Sequence, residues 1–149
     1  EFNYRQALTF LPAWARGVQC FANATSQRAK DTDELQDMTP FSANWGLSLT
    51  RPKWNLRINE NYRGQKRTGR VTGTNIDPGT YNYYKKRLFI DVNGEYYLRP
   101  SLGLFVSVRN LNNAPEDQKV YGPRTPEYAR FRAREAYHPL WTVGMKGTF

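Results

Sequence analysis

Apolar and polar residues alternate with a period of two along much of the chain, most clearly at its C-terminal end. From Leu140 to Phe149, one set is Trp141, Val143, Met145, Gly147 and Phe149, and the other is Thr142, Gly144, Lys146 and Thr148. The same alternation occurs in residues 41–50, 53–66, 87–99 and 101–112, and more weakly in 2–10 and 15–30. A period of two indicates a strand with one apolar and one polar face, so the pattern predicts about seven strands and no convincing helix.

The links between these predicted strands alternate between short and long. The short ones, LPAW, TRPK and LRPS, each contain a proline, which suits a tight turn. The long ones are residues 31–40, 67–86 and 113–139. A transmembrane barrel sorts its links in this way, with short periplasmic turns at one rim and long extracellular loops at the other. The sequence therefore predicts an all-β fold, an antiparallel up-and-down transmembrane β-barrel.

One stretch of the last long link fits two structures. Thr125 before Pro126 and Glu127 is typical of a helix start. In the same stretch, up to Tyr137, arginines alternate with Phe131 and Ala133, which is the spacing of a strand. We favour a strand that rises above the membrane plane.

Composition narrows the partners without naming one. Lys and Arg outnumber Asp and Glu by 22 to 13, which gives a net charge of +9, and aromatic residues make up 15% of the chain. Such a chain suits an anionic partner, whether nucleic acid or the phosphates of lipid head groups. Cys20 is the single cysteine, which excludes a disulfide framework and a thiolate metal site. No apolar run approaches the roughly 20 residues of a membrane helix, and the first residues do not resemble a signal peptide.

No group of residues has the pattern of a catalytic or cofactor site. His138 is the single histidine and lies in a long link. Asp91 and Glu95 share a polar face but are about 13 Å apart at the rise of a strand, too far for a paired carboxylate. We expect both to balance Arg57, Arg63 and Arg109 on neighbouring strands. The stretch Asp31 to Glu34 offers oxygen ligands for calcium but lacks the spacing of a calcium loop, so an acidic solvated loop is favoured. The sequence predicts no enzyme, no cofactor and no bound metal.

Three stretches resemble the last strands of TonB-dependent outer-membrane receptors. They are FVSVRNLNN (residues 105–113), EYYLRPSLGLFVSVRN (residues 95–110) and the terminal WTVGMKGTF (residues 141–149). The resemblance implies a barrel of about 22 strands with an N-terminal plug, located in the bacterial outer membrane. Residues 1–149 would be the C-terminal portion of the barrel, either a fragment or one piece of a split receptor. Such a receptor takes up a scarce nutrient (a siderophore, cobalamin, a metal complex or a carbohydrate) by TonB-energised active transport.

The resemblance also implies partners and roles for residues. The partners are the remainder of the barrel and its plug, the TonB energising complex, outer-membrane lipids and lipopolysaccharide, the barrel-assembly machinery and a small-molecule ligand, with no nucleic acid. The lumen-facing polar residues would be Arg57, Arg63, Asp91, Glu95, Arg109 and Lys146. The basic residues of the extracellular loops would be Lys85, Lys86, Arg124, Arg130, Arg132 and Arg134. The C-terminal assembly signal would comprise Trp141, Val143, Met145 and Phe149.

Two departures from the family pattern and two other functions stand beside this interpretation. Gly147 occupies the third-last position, where an aromatic residue is common in the family, and Glu60 falls on the face expected to contact lipid. Glu60 then lies near the membrane interface, or a bulge turns it inward. The first alternative function is a soluble, basic all-β module that binds nucleic acid or an anionic glycan through Tyr and Arg. The second is a passive porin-like channel.

Overall fold

The computed structural model describes residues 1–28 and 37–147, and these residues form antiparallel β-structure. The strands are β1 (Phe2–Ala7), β2 (Val18–Ser26), β3 (Phe41–Thr50), β4 (Trp54–Arg63), β5 (Lys66–Arg70), β6 (Tyr81–Tyr84), β7 (Arg87–Arg99), β8 (Leu102–Arg109), β9 (Glu116–Tyr121), β10 (Phe131–Glu135) and β11 (Leu140–Gly147). Ala13–Ala15 and Glu127–Ala129 form single turns of 3-10 helix. In these two described ranges, no helix has the length and apolar character needed to cross a membrane.

Seven strands form one sheet in the order β1-β2-β3-β4-β7-β8-β11. Every neighbouring pair is antiparallel, and the order follows the chain except where β5-β6 and β9-β10 are set aside. The prediction of an antiparallel all-β fold is thus confirmed. Within the described residues the sheet is open, with β1 and β11 at its edges, and its closure into a transmembrane barrel stays a prediction.

The register of the seven strands separates apolar from polar side chains. Residues directly opposite each other share a face, as Leu47 and Ile58 do, or Val92 and Val108. The apolar face carries Phe2, Tyr4, Ala22, Trp45, Leu47, Leu56, Ile58, Ile90, Val92, Leu104, Val106, Trp141, Val143 and Met145. The polar face carries Arg5, Asn23, Ser48, Arg57, Asn59, Asn61, Asp91, Asn93, Glu95, Ser107 and Lys146.

Glu60 lies on the apolar face, opposite Trp45 on one side and Ile90 on the other. The register of β4 with both neighbours runs without a shift through this position, so no bulge turns the carboxylate inward. Glu60 lies in the half of β4 that leads to the long links, and its closeness to a membrane interface stays a prediction.

The apolar face has no second layer packed on it. Among the described residues, the buried hydrophobic side chains are Ala15, Tyr81 and Val108. On β11, Val143 is 77% exposed and Met145 69% exposed. A soluble domain of this length normally surrounds many large apolar side chains with neighbours on all sides. Within the described residues, the apolar face of this sheet is therefore largely exposed.

The long links form a second sheet, which the sequence pattern did not predict. Its order is β10-β9-β6-β5, and each member continues a strand of the seven-stranded sheet. β5 follows β4 after two residues, β6 leads into β7, β9 follows β8, and β10 leads into β11. The stretch that fitted both helix and strand contains each in turn, with the 3-10 turn Glu127–Ala129 before β10. These four strands therefore extend beyond the sheet with the apolar face, at the end where the long links lie.

The short links lie at the opposite end of the seven-stranded sheet. β3 and β4 are joined by residues 51–53, and β7 and β8 by residues 100–101, as the two proline turns predicted. The link from β1 to β2 is longer than predicted, because residues 8–17 include the 3-10 turn Ala13–Ala15. Arg51 Nη2 donates to Ala13 O at 3.3 Å, which ties this link to the next one.

Candidate functional site: a polar sheet face and a cationic second sheet

Glu95 of β7 and Lys146 of β11 form an ion pair on the polar face, across the intervening strand β8. Lys146 Nζ donates to Glu95 Oε1 at 2.6 Å, and the Tyr97 hydroxyl donates to Glu95 Oε2 at 2.6 Å. Lys146 Nζ also lies 5.3 Å from the centre of the Tyr97 ring. The cluster forms at the end of the sheet that carries the short links, where β7, β8 and β11 run side by side. Two of the predicted lumen-facing residues are thus direct partners.

The other predicted carboxylate, Asp91, is held by amide groups. Asn61 Nδ2 donates to Asp91 Oδ2 at 3.1 Å, and the Asn110 backbone N–H donates to Asp91 Oδ1 at 2.9 Å. On the same face, Ser107 Oγ donates to Asn93 Oδ1 at 2.7 Å. These contacts differ from the expectation that Arg57, Arg63 and Arg109 balance the carboxylates. The reason is geometric, because asparagines occupy the positions directly opposite Asp91 and next to it.

The arginines of β1 and β4 face aromatic and amide groups. The Arg57 guanidinium carbon lies 4.5 Å above the Phe21 ring, and Arg57 Nε donates to Asn59 Oδ1 at 2.8 Å. Arg5 donates to Gln19 Oε1 from Nη2 at 2.7 Å and from Nε at 3.0 Å. A shallow pocket of about 400 Å³ opens beside Arg5, Phe21 and Arg57. This corner of the polar face is positively charged.

A cluster at the junction of the two sheets joins Arg63, Arg87 and Glu116. Arg63 Nη2 contacts Glu116 Oε1, and Arg87 Nη1 lies 3.6 Å from Glu116 Oε2. Arg87 Nη2 donates to Ala114 O at 2.9 Å, and buried Asn110 donates from Nδ2 to Tyr137 O at 3.2 Å. Arg63 and Arg87 belong to the polar face of the seven-stranded sheet. The face of the second sheet that carries Glu116 is therefore the continuation of that polar face. Arg109 lies at the same end of β8 and is exposed.

The opposite face of the second sheet is built from cations on tyrosine rings. Register assigns Arg67, Tyr83 and Lys119 to this face, and likewise Arg70, Tyr81 and Tyr121. The Arg67 guanidinium lies 4.3 Å from the Tyr81 ring centre, Lys119 Nζ 5.9 Å from that of Tyr83, and Arg130 4.9 Å from that of Tyr121. We call the set Arg67, Arg70, Tyr81, Tyr83, Lys119, Tyr121 and Arg130 the cation–aromatic face. A cation over a ring contributes about 0.5–1 kcal/mol at exposed sites.

Of the basic residues predicted in extracellular loops, several lie in ion pairs of the second sheet. Arg134 Nε donates to Asp117 Oδ1 at 2.6 Å, and Lys85 Nζ lies 3.4 Å from Asp117 Oδ2. The hydrogen bond from Arg134 holds the pKa of Asp117 below its ordinary value, and the pKa of Arg134 is raised in turn. Arg132 contacts Asn82 Oδ1, and Lys86 is exposed between β6 and β7.

Arg124 joins the tips of the two long links. Its Nε donates to Asp77 Oδ2 at 2.9 Å, and this hydrogen bond lowers the pKa of Asp77. Asp77 and Arg124 border an open pocket of about 510 Å³ that also includes Ile76, Val120 and Pro126. The pair links residues before β6 with residues after β9, so the tip of the second sheet is closed by a charge pair.

Some predicted site residues lie on the apolar face or outside the described ranges. Trp141, Val143 and Met145, predicted as part of an assembly signal, share the apolar face of β11. Phe149 and the acidic stretch Asp31 to Glu34 lie outside the described residues. Within residues 1–28 and 37–147, no group of three or more His, Cys, Asp or Glu side chains is arranged to hold a metal ion.

The cation–aromatic face was missed because its members do not show apolar alternation. The signal that was present is subtler: YNYY in β6 has tyrosines spaced by two, and KRTGR in β5 and EDQKVY in β9 supply cations at facing positions.

Comparisons of the chain with protein-family models, curated proteins and solved structures give no match.

Proposed function

We propose that the chain is part of the wall of an outer-membrane receptor that imports a scarce nutrient by TonB-energised transport. The observation that carries this proposal is the seven-stranded sheet with one uncovered apolar face and one hydrogen-bonded polar face. The receptor class itself is supported by the resemblance of the last strands, and the apolar face supports the membrane location.

The two faces have the properties that a bilayer requires. Within a sheet, each strand satisfies the backbone groups of its neighbours, which lipid cannot do. Burying a large apolar side chain contributes roughly 1.5–3 kcal/mol of stabilising free energy, which is absent while the side chain is in water. Contact with lipid tails provides the same stabilisation. Side chains such as Val143 and Met145 are exposed in the described chain, and in this proposal they contact lipid. The polar face, with Asp91 and Glu95 held by hydrogen bonds, lines the lumen.

The side chains at the two ends of the sheet support a transmembrane orientation, with the short links at one membrane interface and the long links at the other. Trp54 and Tyr96 pair on the apolar face near the short links, where an aromatic girdle is expected. Tyr62 and Phe41, whose rings are 5.9 Å apart, lie near the other end. There the strands continue into the second sheet, which we assign to the extracellular side. Its tip pocket and charges are suited to contact a ligand before transport.

A cysteine-labelling experiment tests the membrane location. Single cysteines replace Val106 or Ser107, neighbours on opposite faces of β8, in a Cys20→Ser background, and the protein is studied in phospholipid vesicles. We expect a lipid-soluble maleimide to label position 106 well and a sulfonated maleimide to label it poorly. At position 107 the sulfonated reagent should react. Position 143, which pairs with Val106, should behave like 106.

Two other outcomes discriminate the alternatives. Rapid labelling of position 106 by the sulfonated reagent, or exclusion of both reagents, would contradict the membrane assignment and favour a soluble module. If the labelling supports the membrane location, conductance across a planar bilayer distinguishes a receptor from a passive channel. A plugged receptor gives no steady conductance without energy, whereas a porin-like channel conducts.

A further inference from the structure

The cation–aromatic face lies on the same side of the molecule as the apolar face. Arg63 and Arg87, which belong to the polar face, pair with Glu116 on one side of the second sheet. Register sends Lys119 and Tyr121 of the same strand to the other side. Tyr84, opposite Gln118, also lies against Arg63, with the guanidinium carbon 5.5 Å from its ring centre. Contacts with polar-face arginines therefore mark one side of the second sheet, and the opposite side continues the apolar face.

Positive charge dominates this side of the second sheet. The cations are Arg67, Arg70, Lys85, Lys119, Arg130 and Arg134. At the register positions of β5, β6, β9 and β10 that share this side, the carboxylate is Asp117, and it already contacts Arg134 and Lys85. At these described register positions the cations outnumber the carboxylate, so this side of the second sheet is basic.

The tyrosines prepare the cations for an anionic partner. An arginine or lysine held over a ring is positioned without a carboxylate, so its N–H groups keep their capacity to bind phosphate oxygens. Lys119 lies over Tyr83 in this way, and Arg130 lies over Tyr121 while its Nε donates to Thr125 O at 3.2 Å, so a phosphate would be bound by its Nη groups. Tyrosine also suits the interface between hydrocarbon and water, because its ring is apolar and its hydroxyl is polar.

We propose that the cation–aromatic face binds the phosphate groups of an anionic lipid head-group layer beside the barrel. This inference rests on the proposed function, because it takes lipid to cover the apolar face. That continuity selects a lipid surface over a soluble phosphate compound: tails against Ile58 and Leu88 place head groups at the level of β5 and β6. Basic residues near an anionic membrane surface contribute about 1 kcal/mol each, which is about fivefold in affinity.

The test compares two triple variants that remove the same charge from different places. The test variant is Arg70→Gln, Lys119→Gln and Arg130→Gln, on the cation–aromatic face. The control variant is Lys66→Gln, Arg124→Gln and Arg132→Gln, at the other face and the tip. Partition of each protein is measured into vesicles of phosphatidylcholine and into the same vesicles containing phosphatidylglycerol. The ratio of the two partition constants reports recognition of the anionic head group.

We expect the ratio for the test variant to fall about 100-fold, and that for the control variant to change by less than about threefold. Equal losses in both variants would overturn the assignment to this face. Wild-type partition that does not respond to phosphatidylglycerol would overturn this inference while leaving the barrel wall intact. Wild type that does not enter phosphatidylcholine vesicles would overturn both proposals.

A competition arm distinguishes a lipid surface from a soluble ligand. Glycerophosphoglycerol, the soluble head group, is added at a phosphate concentration equal to that of the anionic vesicles. We expect it to leave partition unchanged within about twofold. If it abolishes the preference for anionic vesicles, the face binds a soluble phosphate compound and the lipid assignment is wrong.

Discussion

Lys146 reaches Glu95 across an intervening strand, with Nζ 2.6 Å from Oε1. Lys146 lies on β11 and Glu95 on β7, and β8 runs between them. Gly103 of β8 is directly opposite both Lys146 and Tyr97, so the lysine passes over a position without a side chain. A Cβ at Gly103 would lie 3.3 Å from Tyr97 Cδ1, which leaves little room for a larger residue. The edge strand β11 is thereby tied to a strand that is not its neighbour.

The tie predicts non-additive effects of substitution. Glu95→Gln and Lys146→Gln should each speed hydrogen exchange at the amides of β11. In the double variant, exchange should be no faster than in the more strongly affected single variant. Gly103→Val should give a similar increase, because its side chain obstructs the lysine. Hydrogen exchange of β11 amides measures the effect, with Thr142→Ser as the control. Additive effects for the two charge variants would contradict direct coupling.

The faces of β8 predict opposite responses to a charge. On a lipid face near the midplane, an arginine costs roughly 2–4 kcal/mol, whereas a lumen position tolerates it. Val106→Arg should therefore impair assembly into membranes, and Ser107→Arg should not. The amount of protein protected from protease in a membrane fraction measures assembly. Equal protection of both variants would argue against the assigned faces.

Two glycines predict a contrast in packing. A Cβ at Gly46 would overlap Ile58 O and lie 3.0 Å from Phe21 Cζ, whereas one at Gly69 would have nothing within 4 Å. Gly46→Ala should destabilise the sheet by about 1–3 kcal/mol through overpacking. Gly69→Ala should be neutral or slightly stabilising, since glycine in a strand costs about 0.5–1 kcal/mol relative to alanine. Unfolding midpoints in denaturant measure both, and comparable midpoints would show that β3 and β4 can separate without cost.

Glu116 predicts how firmly the two sheets are joined. Its side chain is 13% exposed and contacts both Arg63 and Arg87, whose Nε atoms are themselves buried without a hydrogen-bond partner in the described structure. Glu116→Gln should destabilise the junction by about 1–3 kcal/mol, because two cations then face each other without a carboxylate. Faster hydrogen exchange in β9, with β2 unchanged, would report it. Glu127→Gln, in an exposed 3-10 turn, is the control and should leave exchange unaltered.

Asp117 predicts a dependence of the second sheet on pH. Its pKa in the folded protein is lowered, first by the hydrogen bond from Arg134. Stability from this carboxylate is therefore complete above its unfolded pKa of about 4 and is lost as the pH falls through the lower folded value. Asp117→Asn should be less stable at neutral pH and should lose less on acidification. The near-ultraviolet circular dichroism of the tyrosines measures this, and a neutral-pH midpoint equal to wild type would contradict it.

The seven-stranded sheet could be predicted because its sequence alternates. Leu104, Val106 and Val108 fall on one face of β8 by period alone, and the register places Val143 and Trp141 beside them. The second sheet could not be predicted in this way, because Lys66–Arg70 and Glu116–Tyr121 are polar at most positions of both faces. Those strands are supported by cation–aromatic and ionic contacts between strands, which appear only once the register is known.

The site was predictable in its faces and less so in its partners. Asp91, Glu95 and Lys146 were assigned to one face, and they share it. Their contacts depend on other strands: Asp91 accepts from Asn61 on the neighbouring strand, and Glu95 accepts from Lys146 two strands away. Sequence spacing within a single strand does not contain that information.

The nested hairpins give the chain a way to zip from the tip inwards. Once β5 pairs with β6, only a short segment of chain separates this pair from Arg63 on one side and from Arg87 on the other. Most of the conformational entropy of loop closure has then already been lost, so pairing β4 with β7 loses little more. The pairing of β9 with β10 does the same for β8 and β11. Assembly would then proceed through two hairpins. In each hairpin, strand pairing would start at the polar end in water and continue in register into the strands with the apolar face.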